Sequence, residues 1–111
     1  MKVLDEMLKF KERRYVKRIP RGEYVLACDA GGTNTNFGVL HEKKLTLVLS
    51  LHFKSKEIKD FTAVVKQVLF HIKKQHNIHA ASACFAAAGA QSHEAVCMTN
   101  RNFCVDLSRI N

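Results

Sequence analysis

The chain contains no run of about 20 apolar residues, the length a helix needs to cross a bilayer, so no membrane partner is expected. A secretory signal is missing as well, because Lys2, Asp5, Glu6 and Lys9 interrupt every apolar stretch near the N-terminus. None of the four cysteines, Cys28, Cys84, Cys97 and Cys104, forms a C-x-x-C pair. That excludes the zinc-ribbon and thioredoxin patterns. Buried, reduced thiols are expected instead, which suits a cytoplasmic protein. The six histidines add no metal signal: His76 and His79 stand three apart, with no Cys or carboxylate at ligand spacing. Neither G-x-x-x-x-G-K-[ST] nor G-x-G-x-x-G occurs. Carboxylates are few, ten against 18 Lys and Arg, and none has a second group beside it that would mark a general base.

What is present suits one domain: 111 residues, 47% of them hydrophobic. The net charge of +8 is unevenly placed. Residues 1–22 hold eight Lys and Arg against three Asp and Glu, so the excess sits at the N-terminus and the body is only mildly basic. Within that stretch Val3, Leu4, Met7 and Leu8 mark one helical face. Pro20 and Gly22 then break the chain. The expectation is a basic N-terminal helix or arm over 1–22, joined by a turn to a body over 23–111.

The body begins with a continuously apolar run, Tyr24–Cys28, which reads as a buried strand. Asn36–Leu40 reads as a second strand. Leu45–Phe53 alternates, with Leu45, Leu47, Leu49, Leu51 and Phe53 on one side, and predicts a third. Short connections make these an antiparallel meander. From Ile58 to Gln75 the period changes, and Phe61, Val64, Val65, Val68, Leu69 and Ile72 predict an amphipathic helix. Ala80–Ala88 reads as a buried strand stopped by Gly89. A strand–helix–strand crossover implies parallel pairing. Ala95–Thr99 is a candidate for one more strand, and Asp106 could cap a helix starting at Leu107. The fold class expected is α/β: a mixed sheet of meander, crossover helix and parallel strand, with helices packed on it.

Asp29-Ala30-Gly31-Gly32-Thr33-Asn34 lies between the first two strands of the body. Two glycines allow positive φ and leave no Cβ in the way of a phosphate. Successive N–H groups in such a turn can form an anion-binding concavity. Thr33 and Asn34 add side-chain donors. Asp29 would repel phosphate but could orient the water shell of a bridging Mg²⁺. An ordinary hairpin turn uses Gly and Asn too, so turn chemistry alone leaves both readings open.

"DAGGTNTNFGVL" after an apolar strand resembles the first phosphate motif of the sugar kinase, actin and heat-shock ATPase superfamily, in its bacterial glucokinase form. "VCMTNRNFCVDLSRI" resembles a later glucokinase segment, with Phe103 where relatives often carry Trp. The resemblance covers about residues 23–111. It implies transfer of the γ-phosphoryl of ATP, with Mg²⁺, to the 6-hydroxyl of glucose. It implies phosphate-facing roles for Asp29, Gly31, Gly32, Thr33 and Asn34, with any metal role of Asp29 acting through water. It places the loop Gly89–Ser92, Thr99 and Asn100 near the sugar.

The family's catalytic aspartate, in an Asn-Asp pair, has no counterpart here, so no catalytic residue is assigned. The resemblance therefore implies a ribonuclease H-like fold, in an incomplete N-terminal ATPase-type domain that holds the phosphate half of the site. Such a chain would be inactive alone and would pair with a missing C-terminal half or with itself. Three other readings stand beside it: a catalytically inactive remnant of a hexose kinase, a kinase for another hexose, and a binder of nucleic acid or an acidic partner through the basic arm. The arm lacks a nucleic-acid motif, and only Phe10 and Tyr15 could stack on bases, so nucleic acid is the least expected partner.

Overall fold

The computed structural model describes residues 7–87 and 102–106. Six strands and one long helix follow one another as β1 (Lys11–Arg14), β2 (Tyr24–Ala30), β3 (Asn34–His41), β4 (Leu47–Lys54), α1 (Phe61–His76), β5 (Ala80–Ala87) and β6 (Asn102–Asp106). A short 3-10 turn, Ser55–Glu57, joins β4 to the approach of α1. The strands form one mixed sheet in the order β1-β4-β3-β2-β5-β6. β2, β3 and β4 are the antiparallel meander, and β5 returns parallel to β2 after α1. This is the α/β mixed sheet of meander, crossover helix and parallel strand that the period changes predict. β6, antiparallel to β5, carries no clear sequence signal. The candidate strand Ala95–Thr99 and the helix expected from Leu107 lie outside the described residues.

One face of the sheet is covered. Tyr24, Leu26, Cys28, Phe37, Val39, Leu49, Leu51 and Phe53 turn their alternate positions toward α1 and are buried. The helix answers with Phe61, Val64, Val65, Val68 and Ile72. Burying each such side chain contributes about 1.5–3 kcal/mol, so this single interface accounts for most of the core. Asp60 caps the helix by accepting from the Ala63 N–H at 3.3 Å. That cap explains why the helix starts at Phe61 rather than Ile58. Asn77, at φ 55°, ends it in the left-handed conformation. On the other face Ala27, Asn36, Gly38, Ser50 and Ala86 remain partly or fully exposed.

Two expectations need correction. The alternation read from Leu45 to Phe53 slips at a bulge: Val39 pairs with Leu49 but Leu40 with Leu47, so Val48 is the extra residue. Val48 is buried, while Leu45 is 75% exposed in the β3–β4 turn and Leu47 lies on the open face. The described part of the basic arm, from residue 7 onward, is not helical either. Lys11–Arg14 is an edge strand paired antiparallel with β4. Its backbone groups complete the β4 ladder, and Leu8, Phe10, Val16 and Ile19 pack against the core around it, which outweighs a short helical period. Buried Gln67 of α1 grips the arm twice, accepting from Leu8 N–H at 3.0 Å and donating to Leu8 C=O at 2.8 Å.

The cysteine reading changes in part. Cys28 is a free, buried thiol. Cys84 is disulfide-bonded rather than reduced, and Cys104 stands opposite it in the β5–β6 register. Among the described residues no helix is long and apolar enough to cross a membrane.

The junction between arm and body is held tightly. Buried His41 accepts from Lys44 N–H at Nδ1, so its Nε2 carries the proton and donates to Arg21 C=O at 2.8 Å. Tyr24 donates its hydroxyl to Pro20 C=O. Gly22 sits between these contacts at φ 133°, and a Cβ there would lie 2.6 Å from His41 Nε2. Gly22→Ala is expected to cost about 1–3 kcal/mol, measured as a lowered midpoint in chemical denaturation.

Glu12, on β1, also ties the arm to α1, through His71 and His76. Partial burial pushes its carboxyl upward, but the hydrogen bonds and charges of the two histidines outweigh that and hold it below 4.5. A carboxyl lowered by folding stabilises above its unfolded value and loses that contribution as pH falls through the folded one. The stability difference between the native chain and Glu12→Gln should therefore be constant in mildly acidic buffer and shrink below about pH 4.5, as read by denaturation midpoints across an acid series.

Candidate functional site

The glycine turn joins the central strand β2 to β3. Asp29 is the last residue but one of β2, three residues, Gly31, Gly32 and Thr33, make the reversal, and Asn34 opens β3. Gly31 N–H donates to Asn34 C=O at 2.9 Å. The reason for Gly31 differs from the expected one. Neither Gly31 nor Gly32 has a positive φ; among the described glycines only Gly22 does. A Cβ on Gly31 would instead sit 3.0 Å from the Asn34 carbonyl oxygen. Close approach of two backbone segments requires glycine there.

Ser55, in the 3-10 turn after β4, organises this reversal. Its N–H donates to Thr33 C=O at 2.9 Å. Its hydroxyl donates to Gly31 C=O at 2.6 Å and accepts from buried Thr35 at 2.8 Å. Both carbonyls are thus drawn toward β4. Among the described residues no group accepts from the N–H of Gly32 or Thr33, and residues 32–34 are exposed. A turn with carbonyls held inward and amides outward presents positive partial charge to solvent. Lys54 stands opposite Asn34 in the β3–β4 register, so a cation flanks the turn.

Asp29 faces the open side of the sheet. It lines a depression of about 410 Å³ together with Ala27, Asn36, Gly38, Cys84 and Ala86. Small residues on adjacent strands make that hollow, because no side chain rises to fill it. Asp29 pairs with Asn36 across β2–β3, and Asn36 pairs with His52 across β3–β4. Asn36 Oδ1 accepts from His52 Nδ1 at 2.7 Å. A polar row therefore crosses the sheet beside the turn. Cys28, the neighbour of Asp29, offers no nucleophile: burial, then the Asp29 charge, pushes its thiol up to about 12.

Of the residues expected at the site, Asp29, Gly31, Gly32, Thr33 and Asn34 thus lie on one strand end and its turn. Gly89, Thr99 and Asn100 lie outside the described residues. Ser55, Lys54, Asn36 and His52 were not anticipated. Asn36 could have been found from the alternation of β3, two residues past Asn34. Ser55 has no local signal, since 22 residues separate it from Thr33.

A mixed sheet of antiparallel meander, crossover helix and parallel strand is the fold of a partial ATPase-type domain. A family model described as Glucokinase matches residues 26–111. The chain belongs to the glucokinase family, a family of kinase-type enzymes. No curated protein and no solved structure matches it.

Ser55→Ala would leave the Gly31 carbonyl and the Thr35 hydroxyl without their partner. The expected loss is about 1–2 kcal/mol, with faster hydrogen exchange at Gly31 than at the remote β3–β4 turn, as read by amide exchange.

Proposed function

We propose that this chain supplies the phosphate-binding side of an ATP-dependent sugar kinase, with glucose as the hexose acceptor. The observation that carries the reading is the Ser55 clamp. It fixes the carbonyls of Gly31 and Thr33 and leaves the Gly32 and Thr33 amides free to donate to phosphoryl oxygens. Thr33 and Asn34 would add side-chain donors, and Lys54 a charge, at the same end of the sheet. Family membership supports a sugar as acceptor, and the glucokinase-like Met98-Thr99-Asn100 segment favours glucose among hexoses.

The donor set also fits Mg²⁺ with ATP. Asp29 is exposed, lines the depression next to the turn, and has Asn36 and His52 beside it. Magnesium usually keeps several waters and takes one or two carboxylates, so Asp29 would hold the ion through water. The bound ion would supply charge neutralisation between phosphates. The protein's own part is to bind and orient: rigid amides cost no reorganisation when charge builds on the phosphoryl oxygens. No base for the sugar hydroxyl is assigned among the described residues. The Asn-Asp pair that holds the base in the family has no counterpart in the sequence.

Binding, separate from turnover, tests this reading. The full chain should bind Mg·ATP saturably in calorimetry. Gly32→Val, which sets a branched side chain among the outward amides, should weaken it by about tenfold or more while leaving the far-UV circular dichroism unchanged. Equal affinity in the variant, or no binding by the native chain, would overturn the proposal.

A further inference from the structure

We propose that Glu12, His71 and His76 form a binding site for a divalent transition-metal ion of zinc's class, pinning the N-terminal strand to the helix. The three side chains come from two elements. β1 lies at the edge of the sheet, and its alternation decides which side each residue faces. Lys11 and Arg13 pair with His52 and Ser50, whose positions belong to the open face. Glu12 pairs with buried Leu51 and so turns toward α1. It is the one acidic residue of the KERR strand, and it occupies a helix-facing position. His71 and His76 meet it from the last two turns of α1.

The geometry brings donor atoms together. His71 Nε2 lies 2.5 Å from Glu12 Oε1, and His76 Nε2 lies 3.0 Å from Oε2. One donor atom from each of the three residues falls within 4.8 Å of the others. Ligand bonds of about 2.0–2.2 Å to a tetrahedral zinc ion place donors roughly 3.3 Å apart, so small side-chain movements convert this cluster into a coordination shell. The rings are already oriented: Phe10 meets His71 edge-on at 4.8 Å between centroids, and His71 meets His76 at 5.9 Å.

The donor set also points to a class of ion. Two imidazole nitrogens and one carboxylate suit zinc and its first-row neighbours. Calcium and magnesium prefer all-oxygen shells. The side chains are 24%, 12% and 27% exposed for His71, His76 and Glu12, enough for an ion to enter and for water to complete the shell. Each histidine ligates through an Nε2 without a proton, so the ion replaces the two Nε2–H···O bonds: a neutral ring carries its proton on Nδ1 instead, and a protonated ring releases one to solvent. Glu12 then passes from hydrogen-bond acceptor to ligand.

Equilibrium dialysis of the full chain against Zn²⁺ tests this, with Co²⁺ absorption as a spectroscopic probe. The native chain should retain one zinc, give visible cobalt bands without a thiolate charge-transfer band, and melt at higher temperature with zinc present. His71→Ala, His76→Ala and Glu12→Gln should each weaken zinc binding by about 100-fold or more. They should also abolish the thermal shift, and His79→Ala should change neither. His76→Gln keeps a hydrogen-bonding side chain but no good zinc ligand, so it separates ligand loss from misfolding. Zinc affinity unchanged in His76→Gln or His71→Ala would overturn the site. So would a native chain that retains no zinc, which would leave a purely hydrogen-bonded clip.

Discussion

The position of β2 constrains everything else in the structure. It is paired along its whole length on both sides, antiparallel to β3 and parallel to β5. Every backbone donor and acceptor of Tyr24–Ala30 can thus be satisfied within the sheet, which lets the strand be apolar and buried. Its even-numbered side chains, Tyr24, Leu26 and Cys28, seal the core beneath α1. Its odd-numbered ones, Ala27 and Asp29, face the open side. Because β2 lies among the central strands, the reversal at its C-terminal end is held by neighbours on both flanks.

That placement gives the glycine turn its chemistry. A free hairpin would let its carbonyls rotate and compete with its amides for the same ligand. Ser55 prevents this by holding two carbonyls from one residue, once through its N–H and once through its hydroxyl. Thr35 completes the relay from a buried position. The rigidity at the turn thus comes from the end of β4, three strands along the meander, and not from the glycines. Gly31 permits the close approach; Ser55 decides which groups point outward.

The basic arm is part of the sheet. Gln67, the pair His71 and His76, and His41 bind it at three separated points. Each contact joins residues at least 20 positions apart in sequence, so the arm is held by tertiary contacts rather than local ones. Its surplus positive charge lies on exposed positions such as Lys9, Lys11, Arg13 and Lys17, while the apolar residues between them reach the core. An edge strand whose four side chains are all charged and exposed also blunts the sheet edge against pairing with other chains.

The sequence by itself determined the elements with a clear period or an uninterrupted apolar run: the meander from Tyr24 to Phe53, α1 and β5. It also determined the turn as a phosphate-binding candidate, because glycine and short polar residues carry their chemistry locally. Several features required the tertiary structure. The Leu45–Phe53 alternation could not show the bulge at Val48, since a bulge is defined by the partner strand. The helical spacing of Leu4 and Leu8 could not foresee that Lys11–Arg14 would meet the open edge of β4. The reversal needed Ser55, and Glu12 needed His71 and His76, from distant parts of the chain. Local periodicity records which face a residue turns to the core; which residue it meets there is set by register and packing, and those exist only once the sheet is assembled.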